Sequence, residues 1–228
     1  MDFCELKQEV LNVQLIRQLL SDKDTLAIYL GGSRLFGLEL PDSDYDVIVI
    51  SKNKAILGLF GEPLDIPGIN VHLQTIYFPA ALKWLSMPSE NVKEVHAVCL
   101  LQMLWPDILY FYKSEEYSSI KTILETYSDE MIYFCLEHLL EMLDRPDGNK
   151  KYIKAHYHYI CFDTLLNNYV SHNKIFFSPE QILQLREIKK KCRVSIKTTN
   201  RIFKQYQLYY EQYIKIYQEV IACQKKFI

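Results

Sequence analysis

Residues 30–50 read Leu-Gly-Gly-Ser-Arg-Leu-Phe-Gly-Leu-Glu-Leu-Pro-Asp-Ser-Asp-Tyr-Asp-Val-Ile-Val-Ile. The apolar run Leu26 to Leu30 predicts a short buried strand that runs into Gly31-Gly32. Ser33 then opens a short helix, and the turn Pro41-Asp42-Ser43-Asp44 leads into a second strand over Tyr45 to Ile50. Asp44 and Asp46 are two apart on that strand, so both carboxylates project from one face. Such a pair suits Mg²⁺ (or Mn²⁺), a hard cation that prefers oxygen ligands and substrate phosphates. Glycines let a backbone approach a triphosphate without a Cβ clash. Unpaired N–H groups at a helix start favour an anion, which places Gly32 and Ser33 at the phosphates. A phosphate cradle beside a metal clamp is what in-line nucleotidyl transfer requires. Asp42 falls outside the register of the pair and reads as a turn former.

Outward from this block, residues 5–20 carry Leu6, Val10, Leu11, Leu15, Ile16 and Leu19 at helical spacing, which predicts one amphipathic helix. A third strand is expected over Ile69 to Phe78, after a turn-rich stretch at 62–68. Beyond residue 79 the pattern turns helical, with helices expected over 79–86, 90–103, 118–143, 150–171, 179–191 and 196–222. Arg145-Pro146-Asp147-Gly148-Asn149 is a breaker, and Ser178-Pro179 and Ser195 are cap candidates. The fold expected is α+β, a mixed sheet with flanking helices over 1–112 followed by an all-helical lobe over 113–228.

Composition narrows the classes. No stretch approaches the roughly 20 apolar residues of a membrane span, and the start has no secretory pattern. The cysteines at 4, 99, 135, 161, 192 and 223 form no CxxC pair, so they read as reduced residues of a cytoplasmic protein. Charge is unevenly spread. Residues 1–144 hold 10 Lys/Arg against 22 Asp/Glu, whereas 145–204 hold 13 against 4. The basic segment is either a solvated face or a surface for a polyanion. Lys189-Lys190-Lys191-Cys192-Arg193 lies within it. The tyrosines at 206, 209, 210, 213 and 217 follow helical spacing and read as a packed stripe.

The string GSRLFGLELPDSDYDV (32–47) resembles the signature of the DNA-polymerase-beta-type nucleotidyltransferase superfamily, in which Gly-Ser precedes an Asp-x-Asp pair. Arg34, Gly37 and Pro41 to Asp46 also look like the branch of predicted nucleotidyltransferases of the RNA repair pathway. Fainter likeness runs through PSENVKEV (88–95), YIKAHYHYICF (152–162) and SPEQILQLREIKK (178–190). The resemblance implies a two-metal site, a nucleoside triphosphate substrate (ATP being the one expected) and a helical lobe over the cleft. It adds Arg34 to the phosphate-binding candidates. It also brings in Lys154 and His158, one helical turn apart in the basic segment, whose plain alternative is a solvated face.

One departure stands out. The superfamily usually supplies a third carboxylate from the next strand, and here that strand offers Asn70, His72 and Gln74 but no acid. His72 or Asn70 stands about where that acid is expected; His72 either takes over as base or ligand or is an ordinary half-exposed strand residue, and Asp65 is a fallback acid. The expected activity is therefore metal-dependent transfer of an NMP from an NTP to a hydroxyl, with release of pyrophosphate. The acceptor is an RNA end or a protein reached through the basic 145–204 segment. Modification of a partner protein, as in toxin–antitoxin pairs, or of a small molecule is one alternative. A catalytically weakened nucleotide-binding or interaction module is the other.

Overall fold

The computed structural model describes residues 2–86, 102–126, 150–194, 201, 202 and 204. The chain divides into two compact units, 1–131 and 132–228.

In the first unit, helix α1 (Phe3–Asn12) starts where Asp2 can cap it. The Asp2 carboxylate accepts from the Glu5 N–H at 2.9 Å, and the Glu5 carboxylate accepts from the Asp2 N–H at 3.1 Å. This capping box satisfies two donors that the helix leaves open. The single helix expected over 5–20 is in fact two. Val13 is extended (φ −65°, ψ 131°) and separates α1 from α2 (Gln14–Ser21). Arg17 closes the corner by donating to the Asn12 side-chain oxygen at 2.8 Å. The break lets Leu6 and Val10 of one helix and Ile16 and Leu19 of the other all reach the same sheet face. Each such burial stabilises by roughly 1.5–3 kcal/mol.

The sheet has five strands in the order β3-β4-β2-β1-β5. They are β1 (Thr25–Gly31), β2 (Tyr45–Ser51), β3 (Pro63–Leu64), β4 (Val71–Tyr77) and β5 (Tyr110–Lys113). β2 runs parallel to β4 and antiparallel to β1; β5 is antiparallel to β1, and β3 to β4. The interior strand β1, between β2 and β5, is buried throughout, which explains its unbroken apolar run. β5 was not foreseen, because Tyr-Phe-Tyr-Lys is too short to stand out from its helical surroundings. β2 begins at Tyr45, so Asp44 lies at its entrance rather than within it. A 3₁₀ turn at Lys54–Leu59 also escaped the sequence pattern.

The two faces of the sheet differ. On one, Ile28, Leu30, Val47, Val49, Val71 and Leu73 meet α1 and α2 in a single apolar core. On the other, buried Tyr29 makes edge contacts with Tyr110, and Tyr110 with Tyr117, at centroid distances of 5.9 and 6.0 Å. Tyr117 belongs to α5 (Glu115–Glu125), which starts on a Ser114 cap. Helix α4 (Phe78–Ser86) follows β4 directly. The sequence-expected helices over 118–143, 90–103 and 196–222 lie mostly outside the described residues, as does the tyrosine stripe at 206–217.

The described part of the second unit is helical, α6 (Lys150–His172) and α7 (Pro179–Val194). Asn173 ends α6 in the left-handed region (φ 53°), with its N–H on the Tyr169 carbonyl at 2.7 Å. Ser178 caps α7. Its hydroxyl accepts from the Gln181 N–H at 3.3 Å, while the Gln181 side chain accepts from the Ser178 N–H at 2.8 Å. Gln181 also exchanges amide hydrogen bonds with the buried Asn168 at 2.8 and 2.9 Å, which ties the two helices together. The architecture is thus α+β, a mixed five-stranded sheet with flanking helices and a helical C-terminal region, as the sequence pattern leads one to expect.

Candidate active site

The chain reverses from β1 into the one-turn helix α3 (Gly32–Leu35) through Gly31-Gly32. Gly32 has φ +62°, a conformation that side chains with a Cβ rarely adopt. Its Cα faces the Asp46 carboxylate so closely that an added Cβ would lie 1.8 Å from Oδ2. The third glycine of the block has a different task. Gly37 has φ +68°, its N–H bonds the Arg34 carbonyl at 3.3 Å, and the Leu38 N–H bonds the Ser33 carbonyl at 2.7 Å. That is a Schellman closure, which stops α3 after a single turn and sends the chain back toward β2. With four residues, α3 offers a few open N–H groups rather than a developed macrodipole.

The acidic turn is fixed from inside. Ser43 is buried, its hydroxyl accepts from the Leu40 N–H at 2.9 Å, and its own N–H donates to the Leu40 carbonyl at 2.9 Å. Arg34 reaches across from α3 and donates from Nη2 to the Ser43 carbonyl at 2.7 Å and from Nε to the Asp44 carbonyl at 3.1 Å. Its guanidinium also stacks 3.6 Å above the Tyr45 ring centroid. One arginine therefore sets the entrance of β2 through both backbone bonds and side-chain stacking. These donors point at backbone carbonyls, so the observed position of Arg34 supports the carboxylate-bearing turn.

Asp44 is exposed and Asp46 is half-buried. In the sheet Asp46 stands opposite Gly31 on β1 and opposite His72 on β4. Gln74, one step further along the same face of β4, donates from its amide to Asp46 Oδ1 at 3.3 Å. The β4 position beside Asp46 thus presents an imidazole and an amide in place of an acid. Asp65 lies exposed in the loop after β3. Among the described residues no three His, Cys, Asp or Glu side chains come together as a metal-ligating cluster. The donor set that remains, two carboxylates at the head of β2, fits a hard divalent cation that completes its shell with water and substrate oxygens.

Gln102 is a participant that the sequence did not disclose. It is 3% exposed, and its side-chain oxygen accepts from the Gly32 N–H at 2.6 Å. A glutamine 70 residues downstream carries no local mark of such a role.

Two further candidates belong to the second unit. Lys154 and His158 are both on α6 in the second unit; His158 is half-buried beside the Tyr157 ring, and its neighbour His156 is buried. In α7, Lys190 pairs with Glu187 at 2.5 Å, and Lys189 sits over the Tyr157 ring at 5.7 Å, so part of that basic run is engaged locally. A cavity of about 230 Å³ lined by Phe3, Leu6, Leu30, Arg34, Glu39 and Tyr45 opens on the sheet face opposite the carboxylates. It is therefore not the site of their chemistry. No helix of the described residues is long and apolar enough to cross a membrane.

Residues 13–127, half of the chain, match the nucleotidyltransferase domain family. No curated protein matches the chain. The matched span runs from the break before α2 to just past α5, and so contains the glycine turn, the carboxylate strand and the whole sheet. A Gly-Ser turn packed against an Asp-x-Asp strand, within a match of that extent, makes this chain a member of the nucleotidyltransferase domain family, of polymerase-beta-like type.

Proposed function

We propose that the protein transfers an NMP from an NTP, ATP foremost, to a hydroxyl of an acceptor, and that its first unit carries the reaction. The observation that bears most weight is the packing of Gly32 onto Asp46, which supports a phosphate cradle beside the carboxylates. Asp44 and Asp46 would hold Mg²⁺ or Mn²⁺. When bound, the ion neutralises charge on the phosphates and on the leaving oxygen. Ser33 and the N–H groups after it bind the phosphates, with Gly32 letting the backbone approach them and Arg34 holding the turn. The acceptor oxygen bonds to the α-phosphorus as the bridging P–O bond breaks, and pyrophosphate departs with the electron pair. His72, in register with Asp46, is the proposed recipient of the hydroxyl proton. Lys154 and His158 enter as further nucleotide contacts on the strength of sequence resemblance.

For the acceptor we favour an RNA end, in keeping with the likeness to the RNA-repair branch and with the net +9 of residues 145–204. The contrasting reading, nucleotide binding without turnover, draws on one feature, the neutral Gln74 amide bonded to Asp46 where an acid would complete the site.

The deciding assay follows label from each α-³²P-NTP into total RNA and lysate protein with Mg²⁺ or Mn²⁺, beside the Asp44→Asn/Asp46→Asn double variant. Label on RNA that the double variant lacks supports the proposal, and label on protein replaces the acceptor. NTP binding without transfer by the native protein rejects catalysis.

A further inference from the structure

The Gly31–Gly32 turn is held by a residue outside the sequence motif. Gln102 is buried, and its side-chain oxygen takes the Gly32 N–H at 2.6 Å. It reaches that N–H through the space left by the missing Gly31 side chain. A Cβ on Gly31 would stand 2.5 Å from the Gln102 oxygen and 2.3 Å from Ile48 Cγ1. On its other flank the same turn presses Gly32 onto Asp46, whose second oxygen accepts from Gln74. Gly32 is thus gripped between Gln102 and Asp46, and Gln74 holds the far side of Asp46.

Two consequences follow from the chemistry of this grip. A peptide N–H that already donates to a buried carbonyl is not available to a phosphate, so the cradle begins at Ser33. A turn at positive φ with nothing to hold its N–H would have room to move off the carboxylate, whereas a buried short hydrogen bond fixes it. We infer that Gln102 is a positioning residue for nucleotidyl transfer. It acts through the Gly32 peptide, setting where the phosphate cradle stands relative to Asp46. The inference rests on the proposed transferase activity, and its test separates the two.

Gln102→Met keeps the length and apolar stem but removes the acceptor, Gln102→Leu does so with a different shape, and Gln102→Glu keeps an oxygen at the same reach. Two readouts are taken on the full chain. One is amide exchange of Gly32 followed by ¹⁵N NMR without nucleotide. The other is the rate of label transfer from α-³²P-ATP to total RNA as a function of ATP concentration. Met or Leu at 102 should speed Gly32 exchange by about tenfold or more. It should lower kcat roughly 10- to 100-fold, as expected for a small misplacement of reacting groups, with a smaller change in KM. Glu should restore both readouts toward the native values. An active native enzyme whose Met or Leu variant, still folded by its thermal transition, keeps native exchange or native kcat overturns the inference and leaves the activity standing. A native protein that transfers no label to any acceptor overturns the proposed function, and the positioning role with it.

Discussion

Gly32 and Asp46 are 14 positions apart in sequence, yet no side-chain atom fits between them, since a Cβ on Gly32 would fall 1.8 Å from the Asp46 carboxylate. The glycine is required twice over, by its φ of +62° and by this approach. Gly32→Ala should therefore destabilise the fold by about 1–3 kcal/mol from backbone strain and push Asp46 off its position. A thermal melt should show a drop of roughly 2–4 °C per kcal/mol, and label transfer should fall to the level of the Asp46→Asn variant. An alanine variant with native melting and native transfer would show that the turn tolerates a side chain.

Arg34 holds the acidic turn by two bonds to backbone carbonyls and by stacking on Tyr45. Lysine cannot reproduce this planar fork. Arg34→Lys and Arg34→Ala should each cost about 1–2 kcal/mol, read as a lowered urea midpoint, and both should lower kcat. If instead only the KM for ATP rises while stability is unchanged, the guanidinium serves the triphosphate rather than the turn.

Gln74 places an amide 3.3 Å from Asp46 Oδ1. Replacing it with glutamate sets a third acid beside the pair, and like charges so close repel unless a cation joins them. Gln74→Glu should melt below the native protein in EDTA and regain more stability than the native protein on adding Mn²⁺. Equal responses to Mn²⁺ in the two proteins would mean that β4 does not border the cation site. This readout does not depend on turnover.

Asp163, on α6, is 3% exposed; Oδ1 has no hydrogen-bond partner among the described residues, and Oδ2 takes only a long bond from Asn167 at 3.5 Å. Burial pushes its carboxyl up from 3.8 to about 6. The folded state thus holds this proton more tightly than the unfolded chain. This contribution to stability is fully present below about pH 4, declines as pH rises through 4 to 6, and is lost above that. Asp163→Asn should stabilise the protein near pH 7 by up to about 3 kcal/mol and flatten the stability profile between pH 4 and 6. Chemical denaturation at several pH values checks both, and a native-like slope in the variant would assign it to other groups.

Local chemistry settled much of this protein. The apolar run of Leu26 to Leu30 marked β1, and turn residues marked the starts of β2 and β4. The Gly-Ser turn and Asp-x-Asp spacing marked the family, and Ser178-Pro179 marked the start of α7. Each signal is carried by residues within a few positions of one another, which is the range over which propensity, capping and side-chain period act.

Tertiary structure decided the rest. The break at Val13 follows from the need of two helices to cover one sheet face, which no helical period records. β5 exists because it pairs with β1. The Gln74 bond to Asp46 spans 28 residues and the Gln102 bond to Gly32 spans 70. Local sequence determines which groups are at hand, while the partner that each buried polar group must find is chosen when distant segments lose water together.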